Sequence, residues 1–243
     1  MGPGHILILA GGKGTRIKAA LGDTPKALAP INGTPFLEIL LAGLARQGAR
    51  RITLLAGVGA AQLEAYLVKR PADELKMDLI NEPRPLGTGG AIINAFPRIE
   101  SDPFLVLNGD TWLEVQLTKL VKSLSASPCW RGILAAVRVD DASRFGTLNI
   151  DPQGAVTGFN EKQSNRSGYI NGGAYGFKKA LFANRRGPKE PVSLEYDLLP
   201  QWAAKAWLGA VPVKGRFLDI GTPESLAQAG EQFRRLKTRR PDQ

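Results

Sequence analysis

Histidine and cysteine are almost missing from this chain, with one of each in 243 residues. A lone Cys129 forms no intramolecular disulfide, and with His5 the only histidine, zinc sites built from cysteine and histidine clusters are excluded. Triads that need histidine as base are excluded too unless His5 itself serves, and its place at the opening of an apolar strand reads as structural. Cys129, beside Trp130, reads as a packing residue. No run of about 18 uninterrupted apolar residues occurs and the first five residues lack a charged leader, so a cytoplasmic protein without a membrane span is expected. Acidic residues are the scarcer sign, 22 against 32 basic, for a net charge of +10. Arg234, Arg235, Lys237, Arg239 and Arg240 against Asp242 put +4 of it in the tail and leave +6 elsewhere, an excess that suits polyanionic ligands. The tail itself reads as a solvated helix end, and nucleic acid is not an expected partner. Two common phosphate motifs are also missing. No G-x-x-x-x-G-K-[ST] occurs, and the glycines at 11, 12 and 14 fail G-x-G-x-x-G because Ile17 stands where the last glycine belongs. Kinase, GTPase and dinucleotide readings lose weight accordingly.

What is present starts with Ile6 to Arg16, a run of four apolar residues emptying into Gly11-Gly12-Lys13-Gly14-Thr15-Arg16. Such a run suits a parallel strand covered on both faces, and closely spaced glycines let bare backbone N–H groups close around an anion. The proline-rich stretch Thr24 to Pro30 follows, with Lys26 expected in an extended segment. Phe36, Leu37, Leu40, Leu41 and Leu44 recur at helical spacing up to a stop at Gly48. Arg51 to Ala56 reads as a strand, Gln62 to Lys69 as a helix and Met77 to Ile80 as a strand; Asn81 to Gly90 reads as a loop running into a helix over Ala91 to Phe96. Phe104 to Leu107 then delivers Asn108-Gly109-Asp110. Strands alternating with helices predict a doubly wound, mostly parallel, Rossmann-like α/β sheet.

From Gly132 the pattern turns β-rich: Ile133 to Val139, Thr147 to Ile150, Val156 to Phe159 and Ile170 to Phe177 are expected to form a lid or floor over the crevice. A helix over Leu194 to Lys205 with Ser193 as N-cap, a strand over Leu208 to Val213 and a last helix opened by Thr222-Pro223 complete the chain. A single domain is expected over 1–243, with an alternating α/β half to about 130, a smaller β-rich half to about 230 and the basic tail beyond.

Asp110 and Asp219 each end a strand, where ligands of open α/β sheets bind, and together they make a candidate Mg²⁺ site. Mg²⁺ takes one or two carboxylates and completes its shell with water and substrate phosphate. Lys13, Arg16, Lys26 and Lys162 are the cations near these motifs. The combination fits nucleotidyl transfer onto a sugar phosphate: the acceptor oxygen is already anionic and needs no general base, so a site without histidine or cysteine suffices.

The chain resembles the sugar-1-phosphate nucleotidyltransferases. Leu-Ala-Gly-Gly-Lys-Gly-Thr-Arg, Pro-Lys-Ala-Leu-Ala-Pro-Ile, Pro-Leu-Gly-Thr-Gly-Gly-Ala, Asn-Gly-Asp-Thr, Glu-Lys, Ile-Asn-Gly-Gly and Leu-Asp-Ile-Gly-Thr-Pro-Glu occur in order across residues 5 to 230. Within that family it is most similar to the D-glycero-D-manno-heptose 1-phosphate guanylyltransferases. The resemblance implies that Leu9, Ala10, Gly11 and Gly12 line base and ribose, that Gly14, Thr15 and Arg16 hold the triphosphate, and that Lys26 serves the reacting phosphates. It further implies that Glu82, Pro85, Gly87 and Thr88 hold the base, that Asp110 and Asp219 carry Mg²⁺, and that Gly146, Glu161, Lys162, Asn171, Gly172 and Glu195 surround the sugar phosphate. Ala27 and Ile17 depart from the family's usual proline and leucine without removing a charged group.

The chemistry of Glu82 bears on the base. An ionised carboxylate accepts from both N1–H and the 2-amino group of guanine, whereas uracil and thymine would set carbonyl oxygens against it. GTP is therefore the favoured nucleotide and heptose 1-phosphate the favoured acceptor. The alternatives are a UTP- or dTTP-dependent enzyme for hexose or amino-sugar phosphates, an NDP-sugar glycosyltransferase, for which the D-x-D pattern is missing after Asp110, and a non-catalytic nucleotide sensor. A homo-oligomer stays open.

Overall fold

In the computed structural model, residues 2–12, 14–71, 74–161, 167–185, 187 and 189–238 are described; Lys13, Lys162 and the end of the basic tail lie outside them. The strands are β1 (His5–Leu9), β2 (Pro30–Ile31), β3 (Thr34–Pro35), β4 (Arg51–Ala56), β5 (Lys76–Asn81), β6 (Phe104–Asn108), β7 (Thr111–Leu113), β8 (Gly132–Val139), β9 (Thr147–Ile150), β10 (Val156–Asn160), β11 (Gly168–Phe177), β12 (Leu208–Val213) and β13 (Phe217–Asp219). The helices are α1 (Lys18–Leu21), α2 (Phe36–Arg46), α3 (Ala60–Lys69), α4 (Gly87–Ala95), α5 (Leu117–Ala126), α6 (Leu199–Ala204) and α7 (Pro223–Thr238).

Nine of the strands form one mixed sheet. Its parallel arm runs β6-β1-β4-β5, and β11 joins β6 antiparallel and carries β8 and β9 beyond it. The chain winds outward from β1 to β5, then returns to β6 on the other side of β1, which makes a topological switch point at the carboxyl ends of β1 and β6. The fully buried runs Ile6–Ile8 and Leu105–Val106 are what a strand covered on both faces requires. Helix α2 covers one face with Leu37, Leu41 and Leu44, each worth about 2 kcal/mol when taken out of water. Helices α4 and α6 cover the other with Ile92 and Trp202. Gly48, at φ 78, ends the α2 turn as its position promised.

Several expectations are corrected. Lys26 is not extended but opens a 3-10 turn over Lys26–Leu28, because its closing bonds, Leu28 N to Pro25 O and Ala29 N to Lys26 O, need no proline N–H. The glycines after Pro85 are helix rather than loop: Gly89 N and Gly90 N both donate to Val192 O, and a Cβ on Gly87 would come 2.5 Å from that oxygen. They provide clearance for the 192–198 segment. The Leu194 helix starts with a wide π turn, Leu194–Leu198, before α6; Ser193 Oγ does accept from Tyr196 N, and Pro200 lacks the N–H that an α register would use. The β-rich half is continuous with the first, because β8 to β12 extend the same sheet. Cys129 is exposed and packs no core. Sequence reasoning missed α5 altogether.

His5 is structural as expected. Glu100 N donates to its Nδ1 at 3.1 Å, so Nε2 carries the proton and meets Thr53 Oγ1 at 2.9 Å, at the amino end of the sheet away from the switch point. Among the described residues no helix is long and apolar enough to cross a membrane.

Candidate active site

A cavity of about 700 Å³ opens at the switch point. Leu9, Ala10, Gly11 and Gly12 follow β1 into it, Glu82 and Pro85 enter after β5, and Asp110 after β6. Gly87, Thr88, Lys26 and Glu195, also predicted, line it as well. Backbones approach closely here: Gly109 N donates to Leu9 O at 2.9 Å, and a Cβ on Gly109 would come 2.5 Å from that oxygen. A Cβ on Gly11 would come 2.8 Å from Gly57 N and 3.0 Å from Glu82 Oε1. Bare backbone is thus a steric requirement at Gly11 and Gly109.

Glu82 is held by two bonds. Its own N–H donates to Ala56 O, and its Oε2 accepts from Leu86 N at 2.9 Å, which leaves Oε1 beside Gly11. Burial pushes its carboxyl above the ordinary value, and the Leu86 N–H pulls it partly back. Thr88 Oγ1 donates to Glu195 Oε2 at 2.6 Å and accepts from Leu194 N, so Glu195 lines the same cavity beside Thr88.

Lys26 Nζ lies 2.8 Å from Asp110 Oδ2, both side chains being mostly buried. Asp219 reaches the same place through the β7–β13 ribbon: it pairs with Thr111, and Ile220 N donates to Asp110 O at 3.0 Å. One apolar cluster (Ala29, Ile31, Phe36, Leu218, Ile220, Phe233) grips the chain just after Lys26 and on both sides of Asp219, so α7 braces the two charged positions together. Asp219 Oδ1 accepts from Gly221 N and Oδ2 meets Arg144 Nη2 at 3.3 Å.

The remaining predicted residues are spread around this centre. Gly14, at φ 59, borders an adjoining recess of about 270 Å³ that it shares with Gly12 and Lys26. Arg16 is exposed on the 3-10 turn Thr15–Ile17, and neither it nor Thr15 borders the cavity. Asn171 and Gly172 lie at an irregularity of β11; Asn171 Nδ2 donates to Tyr175 Oη at 2.8 Å, and Gly172 is buried against Val137 and Leu113. Burial holds the Tyr175 phenol neutral, far above its ordinary value. Gly146 abuts Asn160 O, the residue before exposed Glu161, and Lys162 lies outside the described residues.

The comparison with known families decides the chemistry. Residues 5–235 match the family described as nucleotidyl transferase. The chain belongs to the nucleotidyl transferase family. This nucleotidyl transferase is 37% identical over 220 residues to the D-glycero-alpha-D-manno-heptose 1-phosphate guanylyltransferase of Campylobacter jejuni, covering 90% of this chain and 96% of that one. It is 32% identical to the protein of the same name from Aneurinibacillus thermoaerophilus, covering 94% and 98%. The crystal structure of HddC from Yersinia pseudotuberculosis complexed with GMP-PN superposes with a TM-score of 0.84 at 38% identity, covering 94% of this chain and 99% of that one.

Several residues at the transferase site escaped sequence reasoning. Asn108 and Val58 line the cavity, the first signalled only by its place in Asn-Gly-Asp, the second by nothing in its composition. Arg144 touches Asp219 from 75 residues away, a contact no local pattern reveals.

Proposed function

We propose that the enzyme joins GTP and a heptose 1-phosphate, releasing pyrophosphate and giving a GDP-sugar. The observation that carries the base assignment is Glu82: a carboxylate anchored through one oxygen by Leu86 N, with the other beside Gly11 in the cavity. That pair of oxygens suits the N1–H and 2-amino donors of guanine. The acceptor assignment rests on the likeness to the two heptose 1-phosphate guanylyltransferases, which extends over nearly the full length of each chain.

In this reading an oxygen of the sugar phosphate attacks the α-phosphorus, the bond from that phosphorus to the bridging oxygen breaks, and pyrophosphate leaves with the electron pair. No base is required because the attacking oxygen is already anionic. This agrees with the one histidine lying at the opposite end of β1 with both ring nitrogens engaged. Leu9 to Gly12 hold the base and ribose, Gly14 to Arg16 the triphosphate, and Lys26 neutralises charge at the α-phosphate. Asn171, oriented by Tyr175, and Gly146, Glu161 and Glu195 face the acceptor sugar.

Asp110 and Asp219 would hold Mg²⁺. The donor set fits: two hard carboxylates, Asp110 in the turn before β7 and Asp219 at the end of its partner β13, each with oxygen lone pairs left over from its protein contacts. Bound there, the ion supplies charge stabilisation for the phosphates. The test is pyrophosphate release over a matrix of four NTPs and several sugar 1-phosphates, with Mg²⁺ present or chelated. Release greatest with GTP and heptose 1-phosphate is expected, and no release with any pair overturns the reading.

A further inference from the structure

Lys162, which the resemblance gives to the sugar phosphate, lies outside the described residues. Among the described residues Lys26 is paired with Asp110, and the other cation in contact with the aspartate pair is Arg144. We propose that Arg144 receives the phosphoryl group of the sugar 1-phosphate, leaving Asp219 when that substrate enters. The inference rests on the nucleotidyl-transfer reading given above and adds a specific residue for its second substrate.

Three features carry it. First, the Arg144–Asp219 contact is loose: Nη2 and Oδ2 are 3.3 Å apart and the arginine side chain is 44% exposed, whereas a guanidinium committed to a carboxylate makes two parallel bonds of about 2.8 Å. Most of its donor fork is left for a second anion. Second, Asp219 does not depend on Arg144 for its orientation, because Gly221 N holds the other carboxylate oxygen from within the same turn. Arg144 can leave without releasing the aspartate.

Third, the segment that presents Arg144 is fixed, while its side chain meets Asp219 through one nitrogen and lies 5.4 Å from the Phe145 ring centroid. Asp141 caps the turn by accepting from Ser143 N and Ser143 Oγ, Phe145 N closes it on Ala142 O, and Ala142 is buried beside Val137 and Ile170. On the other side Phe145 packs edge-on against Phe217, two residues before Asp219, with ring centroids 5.5 Å apart. The same segment continues into Gly146, which touches the end of β10 just before Glu161. Arg144 is therefore a rigidly mounted arm between Asp219 and the residues assigned to the sugar.

The charges agree. Asp110 and Asp219 are balanced one for one by Lys26 and Arg144. A phosphate monoester brings about −1.5 to −2 further charge at neutral pH, and a planar fork matches its oxygens two at a time.

The experiment compares wild type, Arg144→Lys and Arg144→Ala by steady-state pyrophosphate release, varying the sugar 1-phosphate at saturating GTP and then the reverse. Mn²⁺ binding to the free proteins is read by electron paramagnetic resonance. The alanine variant is expected to raise KM for the sugar 1-phosphate about 10- to 100-fold with KM for GTP changed less than about twofold, lysine recovering part of the loss. Mn²⁺ binding should be retained. An unchanged KM for the sugar phosphate together with tighter Mn²⁺ binding would mean that Arg144 only screens Asp219, and would overturn the inference alone. A wild-type protein that releases no pyrophosphate with any pair overturns the functional reading and this inference with it.

Discussion

Glu82→Gln separates guanine recognition from every other task of the cleft. The amide keeps the size of the side chain and one carbonyl oxygen for Leu86 N, so the turn from Glu82 to Leu86 is preserved. What changes is the group beside Gly11, from an acceptor to an NH₂ donor that would face the donors of guanine. A hydrogen bond to a charged group contributes about 1.5–3 kcal/mol, and a donor left unpaired costs a further ~1–3 kcal/mol. A combined loss of about 3 kcal/mol, at 1.4 kcal/mol per decade, is roughly a 100-fold fall in kcat/KM for GTP. UTP, which presents a carbonyl to that position, should lose little or gain. The assay is pyrophosphate release from each nucleotide with both proteins, and a GTP-to-UTP ratio that does not move refutes the assignment.

The pH profile gives the same substitution a second reading. Only ionised Glu82 accepts both guanine donors, and burial holds its pKa above the ordinary 4.5, so the preference for GTP should fade as pH falls through that raised value and the variant should show no such step. The sign for stability is opposite. With the folded pKa above the unfolded one, the contribution of Glu82 is favourable below the unfolded pKa and is lost as pH rises through the folded pKa. At pH 7 the buried carboxylate costs stability, so the glutamine variant should melt no earlier than wild type, and unfolding is thereby removed as an explanation of lost GTP turnover.

Gly11→Ala should lower kcat/KM about 10- to 100-fold and lower the melting temperature by a few degrees, because its Cβ would press on Gly57 N at 2.8 Å and overpacking of this kind costs about 1–3 kcal/mol; normal kinetics would show that the loop yields. Asp110→Asn and Asp219→Asn should each reduce turnover by about two orders of magnitude or more and weaken Mn²⁺ binding, and near-normal activity in either would remove that residue from the metal site. His5 has its pKa lowered by burial and by Arg51, so its contribution to stability is present above the unfolded value of about 6.5 and is lost as pH falls through the folded value. In denaturant titrations from pH 7.5 to 5, His5→Gln should therefore lose less stability than wild type; parallel curves would contradict the buried neutral imidazole.

The strands were legible where an apolar run met a turn signal. Thr147 to Ile150, Arg51 to Ala56 and Leu208 to Val213 match the observed ends, since β-branched and apolar residues there are bounded by glycine, proline or charge. Helix α5 carries Leu117, Leu120 and Leu124 on its buried face, but Gln116 gives no capping side chain and Ser127 no glycine stop, so neither boundary announces it. Prolines and glycines misled in the opposite direction. Before β2 and after Pro85 they were read as breakers, whereas tertiary contacts with Val192 and a single 3-10 turn gave them helical places. At the site, the residues that could be named were those in compact motifs. The pairings Lys26–Asp110, Thr88–Glu195 and Arg144–Asp219 join positions 75 to 107 apart, and sheet topology rather than local pattern creates them.

That topology also explains why one crevice can hold two substrates. Parallel strands bring their carboxyl ends to one edge, so β1, β5 and β6 deliver Gly11, Glu82 and Asp110 to a common wall for one ligand. Strand β11 runs against β6, pairing Ala174 with Leu107, so its residues before Ala174 project past the end of β6 at that same edge. Asn171 to Gly173 therefore meet Asn108 there; a Cβ on Gly173 would come 2.9 Å from Asn108 Nδ2, so glycine is what lets the two backbones close up. A purely parallel sheet would need another crossover to place a second set of groups beside Asp110. Reversing one strand does it directly, and the β7–β13 ribbon adds Asp219 by the same antiparallel device. On the proposed reading, the nucleotide wall would be the parallel arm of the sheet and the acceptor wall the antiparallel arm, and Asp110, at their junction, would serve both.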